Sequence, residues 1–391
     1  MPVKNRFAEL QDQIAQWRRD IHAHPEIRFE EHRTSALVAD RLRAFGCDSV
    51  ETGVGQTGVV GVIHGRDTGS GRVVAFRADM DALPIAEATG LPHASTHAGK
   101  MHACGHDGHT AMLLGAAQYL CETRNFDGTV VLLFQPAEEG GGGAKAMLAD
   151  GVMDRYGVQE VYGMHNWPGL PVGEFALREG PLMAATDFFE IRVKGRGGHG
   201  AMPHLTVDAT LAAAQLTVAL QQVVARNVDP LKPAVLSVCS LRTDSDAHNV
   251  IADEALIKGT VRYLHPEVQD LIRSRIEAVA RATAEAHGAR ADLNYMALVP
   301  ATINPPAETE HAAAAAQAVA GRIRTDIDAV MGGEDFADML AERPGAFVFI
   351  GNGDSADLHH PAYEFNDAAI PAGCSWFATL AETRMPIVAA K

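Results

Sequence analysis

Histidine is the residue that draws attention in this chain: there are 18, and five of them (His93, His97, His102, His106 and His109) crowd one stretch with Cys104 in their midst. The five cysteines, Cys47, Cys104, Cys121, Cys239 and Cys374, are widely spaced and odd in number, so they form no disulfide framework. Clustered imidazole and thiol without disulfide logic point to a metal. Further donors follow apolar runs. VVAFRADMD supplies Asp79 and Asp81, VVLLFQPAEEGGGG supplies Glu138 and Glu139, VYGMHNW supplies His165, and HHP occupies 359–361. Carboxylate, imidazole and thiolate together suit zinc and its first-row neighbours.

Each piece alone has a plainer reading. An aspartate after a strand commonly caps a turn, paired glutamates commonly sit in a solvated loop, and a single cysteine commonly packs in a core. The metal reading rests on their recurrence at matched strand ends, because open α/β sheets gather ligands beyond the carboxyl ends of their strands. The glycines at 140–143 also suit a backbone that passes close to a site and enters a helix.

The elements that must hold these groups are readable from periodicity. Phe7, Leu10, Ile14, Trp17 and Ile21 share one helical face, and a second helix over 30–44 should stop at Gly46. Short β-branched runs at 58–63, 73–77, 129–134 and 160–164 alternate with helical stretches at 108–122 and 142–150. Alternation of this kind predicts an α/β layer with a largely parallel central sheet flanked by helices. Near residue 186 the texture changes. A strand (DFFEIRVKG), a helix at 207–226, two strands (AVLSVCSL and ALIKGTVRYL), a helix at 266–287 and a strand (ADLNYMALV) spell β-α-β-β-α-β. The predicted organisation is a discontinuous catalytic domain, 1–185 and 301–391, interrupted by a smaller domain at 186–300.

Composition narrows the class. With 33 basic and 49 acidic residues the formal net charge is −16, which leaves no electrostatic footprint for a nucleic-acid backbone. No apolar run approaches a membrane span. The first twenty residues are polar and lack the apolar stretch of a signal peptide, so a cytoplasmic protein is expected. GVGQTG at 53–58 matches a dinucleotide fingerprint but leads into the β-branched VVGVIHG, without the required helix. H-E-x-x-H and G-x-S-x-G are absent, which removes helical zinc proteases and the serine hydrolase elbow.

The segments FRADMDALP, MHACGHDGHTAMLLGAA, LLFQPAEEGGGGAKAML, GMHNWPGLPVG, GGHGAMPH, MGGEDFA and LHHPAYEFND resemble, in order, those of amidohydrolases of the hippurate hydrolase and auxin-conjugate hydrolase branch. That branch belongs to the wider aminoacylase/carboxypeptidase family of dinuclear metallohydrolases. The resemblance runs from about residue 15 to residue 385, and ACGHD with QPAEEG is its most specific part.

The resemblance implies two divalent ions (zinc, manganese, cobalt or nickel) held by Cys104, His106, Glu139, His165 and His360, with Glu138 as general base and Asp81 as a supporting carboxylate. It implies that His199 steadies the oxyanion, in relatives across a subunit boundary, and that Asn249 and Arg262 meet the substrate's carboxylate end. Ala252 departs from the pattern, replacing a proline in HNVIADEA and leaving that backbone less fixed. A homodimer or dimer-based oligomer is implied, with the inserted domain as lid or dimerisation domain.

The expected activity is cleavage of an N-acyl amino acid into a carboxylic acid and a free amino acid. A metal lowers the pKa of bound water to about 7, and a glutamate base then contributes roughly 10²–10⁴-fold. A dipeptidase or carboxypeptidase using the same centre is the alternative, and a metal-dependent binding protein without catalysis is the other.

Overall fold

The structure, a computed structural model, describes residues 4–387. It divides into two compact units. The first takes the described residues up to Gly180, Ile303–Asp328 and those from Asp335 onward; the second takes Pro181–Thr302 with Ala329–Glu334. The expected inserted segment, 186–300, omits this last short stretch. Its backbone carbonyls at Val330 and Gly332 accept from the Ala184 N–H, a pairing of distant segments that local patterning does not announce.

In the first unit, helix α1 (Asn5–Ala23) buries Phe7, Leu10, Ile14, Trp17 and Ile21, the apolar stripe read from the sequence. It packs on α3 (His106–Thr123) and on the helix Ile370–Arg384. The approach is close. A Cβ on Gly115 would stand 2.6 Å from the Ile14 Cδ1 and 2.7 Å from the Cys374 Sγ, so only glycine lets the three helices meet there. Helix α2 (His32–Phe45) ends at Gly46 with φ +87°, and begins two residues later than periodicity suggested. Its first N–H groups, at Arg33 and Thr34, are capped by the Glu26 carboxylate at 2.9 and 2.8 Å, while Glu31 is turned inward.

The sheet of this unit runs β1 (Ser49–Val54), β2 (Gly58–His64), β4 (Thr129–Gln135), β3 (Val73–Asp79), β5 (Glu160–Pro168), then Gly345–Gly353, Phe175–Ala176 and Ile323–Arg324. Its centre is parallel: β4 with β3, β3 with β5, and β5 with Gly345–Gly353. Its β1–β2 margin is antiparallel. Strands buried on both faces read as continuous apolar runs, which is why VVLLF in β4 carries no alternation.

The second unit is a four-stranded antiparallel sheet, ordered Ala234–Thr243, Glu254–Tyr263, Ala185–Lys194, Arg290–Val299. The helices Ala209–Leu220 and Glu267–Ala286 pack together beside it. The single helix expected over 207–226 is in fact two, Ala209–Leu220 and Gln222–Asn227. No helix among the described residues is long and apolar enough to cross a membrane.

Candidate metal and active site

Parallel pairing brings the polar strand ends of the first unit to one edge. Asp79 is the register partner of Gln135, Arg77 that of Gly163, and His165 that of Phe349. Beneath this edge the buried Arg77 donates to Gln135 Oε1 at 2.8 Å, Asp79 Oδ2 at 2.7 Å and Asp335 Oδ1 at 2.9 Å. Its guanidinium neutralises part of the carboxylate charge collected there.

Cys104 and His106 stand at the entrance to α3. Between them Gly105 has φ +88°, and a Cβ on it would fall 2.1 Å from Asn166 Nδ2 and 2.6 Å from the Tyr363 Oη. Glycine is required by both conformation and space. The ring nitrogens can be assigned from their partners. His165 Nδ1 lies 2.6 Å from the Asn166 carbonyl, which only accepts, so Nδ1 carries the proton and Nε2 keeps its lone pair. That Nε2 is 3.3 Å from Cys104 Sγ. His106 Nδ1 faces the Asp81 carboxylate at 3.2 Å, which leaves Nε2, buried and without a hydrogen-bond partner, as the ligand atom. This is the arrangement by which an outer carboxylate or carbonyl fixes a metal-binding imidazole.

Glu138 and Glu139 follow Ala137, a non-glycine residue held at φ +50°. The Glu139 N–H donates to Asp81 Oδ2 at 2.9 Å, so Asp81 touches both the His106 ring and the glutamate loop. The Asp335 N–H reaches Glu138 Oε1 at 3.4 Å. Among the described residues, ligand atoms gather within 4.8 Å in overlapping groups: Cys104 with His106 and His165, His106 with Glu138 and Glu139, and Cys104 with Glu139 and His359.

The last group contains His359 where His360 was expected. Both side chains are exposed, but His360 turns its Nδ1 to the Ala362 N–H at 3.1 Å and joins none of these groups. Its neighbour His359 does, with Nε2 at 3.1 Å from Glu139 Oε1. A backbone φ of +64° at His359, with its N–H on the Ala103 carbonyl at 2.7 Å, sets the direction of that ring. Strained backbone of this kind is retained where the surroundings over-determine it.

Two further residues complete the site. Asp79 Oδ1 takes the Nδ1–H of His109 at 2.6 Å, and His109 Nε2 accepts from the Asn166 N–H at 2.9 Å. Both His109 nitrogens are therefore committed, and the ring is a support. Asn166 also bridges the Cys104 carbonyl at 2.6 Å and the Tyr363 hydroxyl at 2.5 Å. Its proximity to His165 in the sequence was the only signal for this role.

The electrostatics are those of a cluster built around positive charge. Burial opposes protonation of His106, yet Asp79 and Asp81 outweigh it and lift its pKa to about 10. Burial first, then Glu139 and Glu138, push the Cys104 thiol well above its ordinary value. Burial drives His165 well below the usual imidazole range, leaving it neutral. A buried imidazole nitrogen without a hydrogen bond, a neutral imidazole, a thiol and two glutamates fit a divalent cation of the zinc type.

The remaining expected residues belong to the second unit. His199 lies on the short strand Gly198–His199, paired with Val250–Ile251. Its Nδ1 accepts from the Ala201 N–H at 3.0 Å, so the neutral ring carries its proton on Nε2. Asn249 adjoins it, its carbonyl taking the Gly200 N–H at 2.8 Å. Arg262 is not brought to this strand pair. It pairs in register with Val235 and Thr186, roughly 26 Å along its strand from Glu254 at about 3.3 Å per residue. Burial lowers its pKa.

A mixed α/β sheet with a thiol, imidazole and paired-glutamate cluster at its strand ends defines a metallohydrolase-type fold. The model of the peptidase family M20/M25/M40 matches residues 75–383, and the chain belongs to that family. It is 40% identical to a hippurate hydrolase of Campylobacter jejuni over 375 residues, covering 95% of this chain and 97% of that one. It is also 40% identical to an N-acetylcysteine deacetylase of Bacillus subtilis over 365 residues, 93% of this chain and 94% of that one. A solved Bacillus subtilis structure described as a dinuclear metal binding peptidase from the M20 family superposes with a TM-score of 0.86 at 36% identity, covering 97% of this chain and all of that one. The chain is thus an enzyme, a hydrolase of the amidohydrolase kind.

Proposed function

We propose that the enzyme hydrolyses the amide bond of N-acyl amino acids, releasing a carboxylic acid and a free amino acid. The observation that carries this reading is the His106 ring: oriented by Asp81, with its buried Nε2 making no hydrogen bond, it stands among Cys104, His165, Glu138 and Glu139. The names of the relatives supply the substrate class.

In this reading Cys104, His106, Glu139, His165 and His359 hold two divalent ions, of zinc, manganese, cobalt or nickel. Ions bound there would acidify water and polarise the scissile carbonyl. Glu138 takes a proton from the attacking water and delivers it to the departing nitrogen, the two transfers of a general base turned acid. Arg77 and Asp335 keep the carboxylate edge in place, and Asp81 fixes the His106 tautomer. His199, protonated on Nε2, is suited to donate to the tetrahedral oxyanion. Asn249 would meet the amino acid carboxylate, Arg262 would act from a different part of its unit, and the working form would be a homodimer or dimer-based oligomer in the cytoplasm.

The test is amino-group release from N-benzoyl and N-acetyl amino acids, with unblocked dipeptides alongside. Turnover of the N-acyl compounds in preference to the dipeptides is expected. Cleavage confined to dipeptides would make the enzyme a peptidase and refute the proposed substrate class.

A further inference from the structure

The glycine-rich GVGQTG stretch is no dinucleotide loop, yet its spacing has a physical reason. It is the turn between β1 and β2, and it lies against the segment that carries the paired glutamates. A Cβ on Gly58 would stand 2.4 Å from the Val54 carbonyl oxygen of its own turn, 3.1 Å from the Pro136 Cδ and 3.2 Å from the Phe134 carbonyl, and one on Gly55 would stand 2.7 Å from the Met147 Cγ. The Gly55 N–H also donates to Asp150 Oδ2 at 2.7 Å. Glycine at these positions lets the turn close on itself and pack against its neighbour.

Glu31 joins that turn to the glutamate loop. Its side chain is fully buried. Oε1 accepts from the Ala137 N–H at 3.0 Å and the Phe29 N–H at 3.0 Å, and Oε2 accepts from the Thr57 hydroxyl at 2.5 Å. Ser35 Oγ in turn donates to the Thr57 carbonyl. Ala137 is the residue held at φ +50° immediately before Glu138, a conformation that costs a non-glycine residue of order 1–3 kcal/mol and persists only when its surroundings insist on it. The same 24–31 loop reaches the other acidic motif, since the Glu26 carbonyl accepts from the Ala82 N–H at 2.8 Å, next to Asp81.

We infer that Glu31 is a positioning residue for the Glu138–Glu139 pair: by holding the Ala137 peptide it fixes where the proposed base and its neighbouring metal ligand project. The inference rests on the functional reading above. Removing the carboxylate frees a buried N–H and lets Ala137 relax toward negative φ, which swings both glutamates. An outer group of this kind changes metal affinity or activity by roughly 10–100-fold.

The experiment compares wild type, Glu31→Ala and Glu31→Gln as full chains. Zn(II) is titrated calorimetrically into the chelated proteins, and kcat and KM are measured after reloading, well below each melting temperature. Glu31→Ala is expected to weaken Zn(II) binding and lower kcat by roughly 10-fold or more, with KM little changed. Glu31→Gln should restore most of both, because its amide oxygen can accept from Ala137 while its NH₂ donates to the Thr57 hydroxyl. Wild-type Zn(II) affinity and kcat in Glu31→Ala would overturn the inference whatever its melting temperature, as would Glu31→Gln performing no better than Glu31→Ala. If Glu31→Ala does not fold, Thr57→Val replaces it. A smaller loss in the same direction supports the brace, and no change in either readout overturns it. A wild type that binds Zn(II) but cleaves no N-acyl amino acid would sink the functional reading instead, with the affinity comparison still deciding the role of Glu31.

Discussion

Asp81 holds His106 through Oδ1, 3.2 Å from Nδ1, while its other oxygen receives the Glu139 backbone N–H at 2.9 Å. One carboxylate thus sets the tautomer of an imidazole donor and the position of a glutamate donor 33 residues further on. Asp81→Ala should lower divalent metal affinity by about 10–100-fold, measurable by competition with a chromogenic chelator. Unchanged affinity would show that His106 and Glu139 hold their places unaided.

The adjacent histidines at 359 and 360 are separable by mutation. His359→Ala should lose bound metal and most activity, whereas His360→Ala should keep both, because only the His359 ring meets Glu139. Metal content per chain after gel filtration distinguishes them. The reverse pattern would return the role to His360.

Glu138→Gln removes the proposed base while preserving shape. Turnover should fall by roughly 10²–10⁴-fold, with metal content unchanged since Glu139 and the other donors remain. Near-native turnover in a metal-loaded variant would exclude Glu138 from proton transfer.

Stability should fall on the alkaline side for a reason that can be assigned. His22 is fully buried with Nδ1 2.9 Å from Asp107 and Nε2 3.3 Å from Glu87. Burial opposes its charge, but Asp107 and Glu87 outweigh it and raise the pKa from 6.5 to about 9. Folding therefore favours the protonated ring. That contribution is complete below pH 6.5 and is lost as pH rises through 9, amounting to at most about 3 kcal/mol. Urea midpoints should decline across this window, and His22→Gln should flatten the decline. An unaltered slope in the variant would assign it to other groups.

How much of this was legible in the sequence depended on how local each signal was. The phase of Phe7, Leu10, Ile14, Trp17 and Ile21 fixes the buried face of α1 because a helix repeats every 3.6 residues. Asp79, Asp81, Glu138, Glu139 and His165 announce one sheet edge because parallel strands deliver their ends together. The choice between His359 and His360 was not legible, since it turns on a left-handed backbone at one of two identical residues. Nor were the tasks of Glu31, His109 and Asn166. Each serves partners far along the chain, and no spacing rule links residue 31 to residue 137. The return of Ala329–Glu334 to the second unit was hidden for the same reason.

The cluster is proposed to perform amide hydrolysis with divalent ions bound in it. The most direct test of that proposal is stepwise addition of Zn(II) or Mn(II) to chelated enzyme, with amine release from an N-acyl amino acid measured at each step. Release should be negligible without metal and should rise to a plateau at two ions per chain. Full turnover by metal-free enzyme, or a rise unaffected by replacing His106 and Glu139, would contradict it.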